Sequence, residues 1–150
     1  MTQPKIWNEN LIKKIQHEEV DFRGKDLSGY DFSGVTFLGL DLSNCDFSNC
    51  DFRNSDLRLA NLSNCNFSEA DLHGANLEEA NLSSCVLYKI DMVGVNLSAA
   101  NLQNADLTYT DLTGACLIRA NLEGTYLFAT LLSWAALKEA NFRHMTTNYG

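Results

Sequence analysis

The sequence has a single proline, no run of basic residues and no long apolar run. Lys5, Lys13 and Glu18 are among the charges that interrupt the first twenty residues. These absences exclude proline-rich disorder, a basic arm for nucleic acid, a secretory signal and a membrane span at the start. With 45% apolar residues and a net charge of −8, we expect one domain in a cytoplasmic protein that contacts neither nucleic acid nor membrane.

Motifs for catalysis, cofactors and metals are absent as well. No glycine-rich phosphate loop opens a helix, and no Cys-x-x-Cys or Cys-His spacing of the zinc type occurs. His17, His73 and His144 are far apart, and no nucleophile or carboxylate partners them at a useful spacing. The sequence therefore predicts a protein that is not an enzyme and that has no catalytic, cofactor or metal site.

A large apolar residue recurs at every fifth position from Phe22 to Phe142. All 25 of these positions hold Leu, Phe or Met, and Met92 is the only Met among them. A helix would scatter such residues around its circumference, and a strand would send them to alternate faces. The period of five therefore predicts a repeat fold, in which the apolar residue is the centre of each unit.

The other positions of the unit are regular too. Two positions before the centre, 21 of 25 residues are Ala, Cys, Ser, Thr or Val, and one position before it, 19 of 25 are Asp or Asn. Asp and Asn side chains bond nearby backbone amides at turns. Two positions after the centre, Gly or Asn occurs 13 times, and both tolerate positive φ. Each unit is predicted to be a short extended segment followed by a tight corner.

The stretch from Ala70 to Cys85, ADLHGANLEEANLSSC, displays this pattern clearly. It resembles the pentapeptide repeat protein family, whose consensus is Ala, Asp or Asn, Leu or Phe, and two polar residues. The resemblance covers about four fifths of the chain. It implies an all-β fold, a right-handed quadrilateral parallel β-helix (solenoid) with four units per coil and about six coils here.

A short capping helix is predicted before the repeat, from about residue 9 to 17, because Trp7, Leu11, Ile12 and Ile15 have helical spacing and Asn8 can serve as N-cap. Such a helix would cover the apolar start of the first coil; the alternative is a partner-binding helix. The predicted divisions are an N-terminal capping helix segment at 1–19, the repeat at 20–142 and a C-terminal tail at 143–150.

Four units per coil stack residues that are 20 apart, at the β spacing of about 4.8 Å. Six of the seven phenylalanines at centres lie at or before Phe67, so the first half should have the bulkier core. We interpret the cysteines as reduced thiols that act as small buried hydrophobic residues. Four of them lie two positions before a centre and one lies one position before, namely Cys45, Cys50, Cys65, Cys85 and Cys116.

Stacking also predicts an acidic column along one edge of the solenoid. It consists of Asp31, Asp51, Asp71, Asp91 and Asp111. Either each carboxylate only bonds the amides of its own corner, or the column forms an acidic stripe that attracts a basic partner.

A second surface feature is apolar. Outward positions of the last three coils carry Val86, Tyr88, Tyr109, Tyr126 and Phe128, and Leu131, Trp134 and Ile118 continue this character around the C-terminal end. Clustered outward aromatic residues mark an interface, unless the last eight residues fold back over them. Because no C-terminal helix covers the last strand edges, we also predict a homodimer joined through the C-terminal end.

Two functions follow from these features. The first is a rigid, non-catalytic protein-interaction scaffold whose partner meets the aromatic side. The second comes from the resemblance, since some members of the family resemble duplex DNA, bind DNA gyrase and protect or inhibit it. The acidic column and the rod shape favour this second function.

Overall fold

The chain winds into a coil in which each turn takes 20 residues. The computed structural model describes residues 5–6 and 21–147. Within them, 21 successive parallel bridges join positions 20 apart, from Asp26↔Asp46 to Tyr126↔Thr146. Because a bridge recurs every five residues, each coil has four short sides of one unit each. The period of five in the sequence is therefore one side of this coil.

Every unit ends in the same β-turn. In the first, the N–H of Lys25 donates to the carbonyl of Phe22 at 3.1 Å, and Gly24 between them has a φ of 68°. Positive φ at the third residue of a turn is the type II pattern. All 25 residues that lie two positions after a centre have positive φ, so the coil imposes this conformation whether or not the residue is Gly or Asn.

The Asp or Asn before each centre stabilises that turn. The Oδ1 atom of Asp71, for example, accepts the backbone N–H of His73 at 2.9 Å. The same bond forms in all 19 units that carry Asp or Asn at this position. The preference for these two residue types thus has a local cause, the fixed turn after each strand position.

The centres fill the interior of the coil. All 22 of them from Phe22 to Leu127 are buried, with at most 8% of their surface exposed. The phenylalanines form a continuous ring cluster in the first coils, with Phe32 and Phe52 at 4.9 Å and Phe47 and Phe67 at 5.2 Å between centroids. The bulkier core predicted for the first half is present.

The N-terminal segment pairs with the first coil. Strand β1 (Lys5–Ile6) runs parallel to strand β2 (Tyr30–Asp31), with Lys5 opposite Tyr30 and Ile6 opposite Asp31. The backbone of β1 therefore occupies part of the edge that a preceding coil would otherwise cover. The helix predicted at residues 9–17 lies outside the described residues.

The coil continues beyond the predicted end of the repeat at residue 142. Arg143 and His144 form one more corner, and the N–H of Leu127 donates to the carbonyl of Thr146 at 2.7 Å. Residues 143–146 therefore begin another side of the coil. Thr146 pairs with Tyr126 in the coil below, so residues 143–146 extend the coil and do not fold back over its outer surface, while residues 148–150 lie outside the described residues.

Candidate functional site

The predicted outward aromatic residues come together on one side of the last coils. Tyr109 packs edge-to-face against Tyr88 and against Phe128, with ring centroids 5.9 and 5.5 Å apart. Tyr88 is 37% exposed and Tyr109 is 47% exposed. Val86 and Tyr126 are exposed on the adjoining strand positions. These five residues are termed the aromatic cluster.

The position of the cluster follows from the coil geometry. One corner position is occupied in three successive coils by Tyr88, Thr108 and Phe128, which are 20 residues apart. Earlier coils carry serine at this position, and Tyr109 follows Thr108 in the same corner. Thr108 is only 5% exposed, whereas Ser48 and Ser68 at the equivalent position are half-buried. The rings therefore cover the threonine between them and form one continuous surface.

Leu131 and Trp134 belong to a neighbouring side of the coil. Leu131 continues the acidic column in the last coil, because it pairs with Asp111. Trp134 is the corner residue that follows, and 90% of its surface is exposed. Both side chains contribute apolar surface at the C-terminal end, on the strand and corner positions that follow the corner of the three stacked rings. Ile118 is half-buried on another corner.

The acidic column is in register throughout. Parallel bridges join Asp31 to Asp51, Asp51 to Asp71, Asp71 to Asp91 and Asp91 to Asp111. Each Oδ1 accepts the N–H of the residue two positions on, at 2.9 to 3.0 Å. The corner bond expected from the sequence is thus made by one carboxylate oxygen, and the second oxygen is not needed for it.

An arginine compensates the negative charge in the lower part of this column. Arg53 donates from Nε and Nη2 to Asp51, and its Nε lies 3.7 Å from the Oδ2 of Asp71 in the next coil. The hydrogen bonds from Arg53 lower the pKa of Asp51. Arg23 and Arg58 pair in the same way with Asp21 and Asp56, and the bond from Arg23 lowers the pKa of Asp21 to about 2.

Sequence reasoning did not find these ion pairs, although the sequence carries their signal. Each occurs where an arginine lies two residues after an aspartate, as in Asp51-Phe52-Arg53. The centre residue points inward, so the residues on either side of it emerge from the same surface. The spacing Asp-x-Arg is therefore sufficient to place the two charges side by side.

An amide ladder on another side of the coil was not predicted either. The Nδ2 of each asparagine donates to the Oδ1 of the residue 20 positions earlier, at 3.0 to 3.3 Å. The ladder begins on a carboxylate, which accepts the first bond. Its members are Asp41, Asn61, Asn81, Asn101, Asn121 and Asn141. In such a chain of amide bonds, each hydrogen bond strengthens the next by polarising it.

The last coil within residues 21–147 has an edge of unpaired backbone N–H groups. In earlier coils the N–H of a centre and of its corner residue donate to carbonyls one coil further on, as Leu27 does to Asp46. Within residues 21–147, six such donors in the last coil have no acceptor. They belong to Leu132, Trp134, Leu137, Glu139, Phe142 and His144.

The cysteines are free thiols, and all but Cys116 are buried. The Sγ atoms of Cys45, Cys50, Cys65 and Cys85 each donate to a centre carbonyl of the previous coil at 2.9 to 3.1 Å. Burial raises the pKa of Cys50 to about 11 and that of Cys85 to about 12. These thiols are packing residues with a weak hydrogen bond.

Among residues 5–6 and 21–147, no group of three or more metal-binding side chains comes together. His73 and His144 lie on corners that are 14 coil sides apart in the chain, and His17 lies outside the described residues. Over the same part of the chain, no helix has the length and apolar character needed to cross a bilayer.

The bridges, corners and stacked centres define the chain as a β-solenoid repeat protein. Sequence comparison then gives the family: the family described as "Pentapeptide repeats (8 copies)" matches residues 18–49, 45–83, 90–127 and 105–143. The chain belongs to the pentapeptide repeat family. Its members fold as right-handed quadrilateral β-helices and are in general non-catalytic scaffolds.

Solved structures of similar fold include a trypsin-treated form of QnrB1, a plasmid-mediated fluoroquinolone resistance protein. It is 20% identical, with a TM-score of 0.74 over 87% of this chain and 72% of that one. The pentapeptide repeat protein alr5209 from Nostoc PCC 7120 is 28% identical, with a TM-score of 0.59 over 73% of this chain and 84% of that one. A comparison with curated proteins gives no significant match.

Proposed function

We propose that this chain is a rigid, non-catalytic protein-interaction scaffold whose partner binds the aromatic cluster. The observation that carries the proposal is the edge-to-face stack of Tyr88, Tyr109 and Phe128 on the outside of the coil. The positions equivalent to Tyr88 and Phe128 in earlier coils carry serine, and the position equivalent to Tyr109 carries no aromatic residue there, so the fold itself does not require rings at this corner. Exposed aromatic residues in one patch are typical of protein-binding surfaces.

Affinity capture tests this proposal. The parent chain and a Tyr88→Ser plus Phe128→Ser variant are compared, with Leu38→Ser plus Leu59→Ser as the matched control, because those leucines are exposed apolar residues on another corner. We expect the aromatic variant to lose its specific partner and the control to retain it. Capture of the same partners by all three chains would exclude the aromatic cluster as the binding surface.

A second candidate function is mimicry of duplex DNA toward DNA gyrase. The in-register acidic column favours it, because repeated carboxylates along a rod resemble a row of phosphates. Arg53 weakens the case in the lower coils, since it binds Asp51 and approaches Asp71. We therefore place mimicry after the scaffold function.

A supercoiling assay with DNA gyrase, with and without a quinolone, tests mimicry. We expect inhibition or protection that weakens as salt rises, because the attraction between exposed charges is screened. Asp91→Asn plus Asp111→Asn should reduce the effect, and these substitutions preserve the corner bond that Asn61 and Asn81 make at equivalent positions. No effect of the parent chain at low salt would rule mimicry out.

We further propose that two copies of the chain meet at the C-terminal end. The unpaired N–H groups of the last coil and the exposed side chains of Leu131, Trp134 and Leu137 support this arrangement. Strand edges of this kind pair readily with another chain. A contact between like ends is two-fold symmetric and closed, whereas a head-to-tail contact would propagate into a fibre.

A further inference from the structure

The aromatic cluster adjoins two carboxylates that each have an unused oxygen. Asp91 and Asp111 lie on the strand positions that follow the corners carrying Tyr88 and Tyr109, and a bridge stacks one above the other. Their Oδ1 atoms accept the N–H groups of Val93 and Thr113 at 2.9 Å. Within residues 21–147, neither Oδ2 has a hydrogen-bond or ion-pair partner.

The lower half of the same column shows what these oxygens can bind. There Arg53 donates to Asp51 from two nitrogens and lies 3.7 Å from Asp71 in the next coil. One guanidinium thus lies between two aspartates stacked one coil apart, which is also the register of Asp91 and Asp111. In this protein, two aspartates stacked one coil apart therefore accommodate an arginine side chain at Asp51 and Asp71.

Two coils higher, within residues 21–147, no arginine or lysine pairs with Asp91 or Asp111; His73 lies in the coil below, with its Nδ1 3.9 Å from the Oδ1 of Asp91. Val93 occupies the position equivalent to Arg53, because the two residues are 40 apart in a coil of 20. The corner beside the upper aspartates is open as well. A Cβ atom built on Gly94 or Gly114 meets no atom within 4 Å. A side chain from another molecule can therefore reach the Asp91–Asp111 pair.

We propose that the surface formed by the aromatic cluster and the Asp91–Asp111 pair binds an arginine side chain in an exposed segment of the partner protein. The planar guanidinium can fork onto a carboxylate and stack on an aromatic ring, which the compact ammonium group of lysine does less well. The net charge of −8 adds long-range attraction for a basic segment. This inference rests on the proposed scaffold function and names the chemistry of its partner.

Fluorescence anisotropy tests the inference with two labelled peptides that differ only in their basic residue. One has arginines separated by Gly-Ser spacers, and the other has lysines at the same positions. At about 0.15 M salt, where exposed charges beyond about 8 Å are screened, we expect the arginine peptide to bind about tenfold more tightly, in keeping with guanidinium stacking and bidentate pairing.

The most direct variant fills the site from within the chain. Val93→Arg places a guanidinium where Arg53 lies two coils below, so it should occupy Asp91 and Asp111 and reduce binding of the arginine peptide at least tenfold, which corresponds to one good charge-assisted contact. Ser33→Arg adds the same charge in the same corner position three coils lower. It should leave the affinity within about twofold, because that region is distant by more than a Debye length.

Two further variants separate the contributions of the rings and the carboxylates. Tyr88→Ser plus Phe128→Ser leaves the charge unchanged and should still weaken arginine binding. Asp91→Asn plus Asp111→Asn should weaken it also, whereas Asp26→Asn plus Asp46→Asn, with the same change in charge, should not. Equal affinities for the arginine and lysine peptides, or unaltered binding by Val93→Arg, would overturn the inference.

The same experiments distinguish failure of the arginine inference from failure of the scaffold function. If the arginine peptide does not bind but capture still depends on Tyr88 and Phe128, the scaffold proposal stands and the arginine inference fails. If peptide binding and capture are both insensitive to those residues, both proposals fail.

Discussion

Corner residues in this protein adopt a conformation that their side chains oppose. Leu59, Tyr109 and Trp134 each have a φ of 60°, in the left-handed region that costs a residue with a Cβ atom about 1–2 kcal/mol. The sequence predicted positive φ where Gly or Asn occurs. The sequence could not predict positive φ at the other corners. There the hydrogen bonds between successive coils impose this conformation against the preference of the residue.

The first prediction exploits this strain. Ala99 is an exposed corner residue with a φ of 56°, so Ala99→Gly should raise the free energy of unfolding by up to about 1 kcal/mol, as relief of strain exceeds the added chain entropy. Thermal unfolding measures the change. The adjacent Ala100 is fully buried, so Ala100→Gly should destabilise the protein. If both substitutions destabilise it equally, the corner is not strained.

The second residue-scale prediction concerns pH. Cys50 is buried and its pKa is raised from 9.0 to about 11, so the unfolded chain loses this proton at a lower pH than the folded chain does. The contribution of the Cys50 thiol to the free energy of unfolding is therefore fully present below pH 9. It falls as the pH rises from about 9 to about 11, by up to about 1.4 kcal/mol per pH unit for each such thiol.

Urea midpoints at pH 7.5 and pH 10.5 measure this loss. The Cys50→Ala variant should be less stable than the parent at neutral pH but should lose less on going to alkaline pH. Cys116→Ala is the control, because Cys116 is the partly exposed cysteine. An identical alkaline loss in the parent and in Cys50→Ala would show that this thiol does not oppose ionisation in the folded state.

At the scale of the coil, the sequence predicted the interior more completely than the surface. The centres from Phe22 to Leu127 are buried as the period of five requires. Leu132, Leu137 and Phe142 have the same repeat position but remain partly or fully exposed. The pattern cannot distinguish them, because their exposure results from their place in the last coil of residues 21–147 and not from their own unit.

Leu82→Ala tests the stacked core. Leu82 is fully buried between Leu62 and Leu102, and closing the cavity would require whole coils to move. The free energy of unfolding should fall by about 2–5 kcal/mol, as it does for other buried leucines. Leu59→Ala is the matched control, because Leu59 is an exposed corner residue, and it should cost less than about 1 kcal/mol. Equal stability of the parent and Leu82→Ala would show that residue 82 is not interior.

The whole molecule has two unlike ends. The first coils hold the phenylalanine cluster inside and three arginine–aspartate pairs outside. The last coils hold the aromatic cluster, the Asp91 and Asp111 Oδ2 atoms that have no partner within residues 21–147, and the open strand edge. The sequence predicted the aromatic residues and the acidic column separately. It did not show that they adjoin, because that relation appears only once the corner between the two sides is built.

The last prediction follows from the open end. Six N–H groups of the last coil have no acceptor within residues 21–147, and Leu131 and Trp134 expose apolar surface beside them. Pairing with the like end of a second copy would satisfy these donors and cover both side chains. Sedimentation velocity at micromolar concentration should therefore show a dimer for the parent chain.

Leu131→Glu plus Trp134→Glu should dissociate this dimer, because like charges would face each other across the two-fold axis. Leu38→Glu plus Leu59→Glu adds the same charge on a corner near the opposite end and should leave the dimer intact. If the parent chain is a monomer, or if its dimer survives the first pair of substitutions, the two copies do not meet at the C-terminal end.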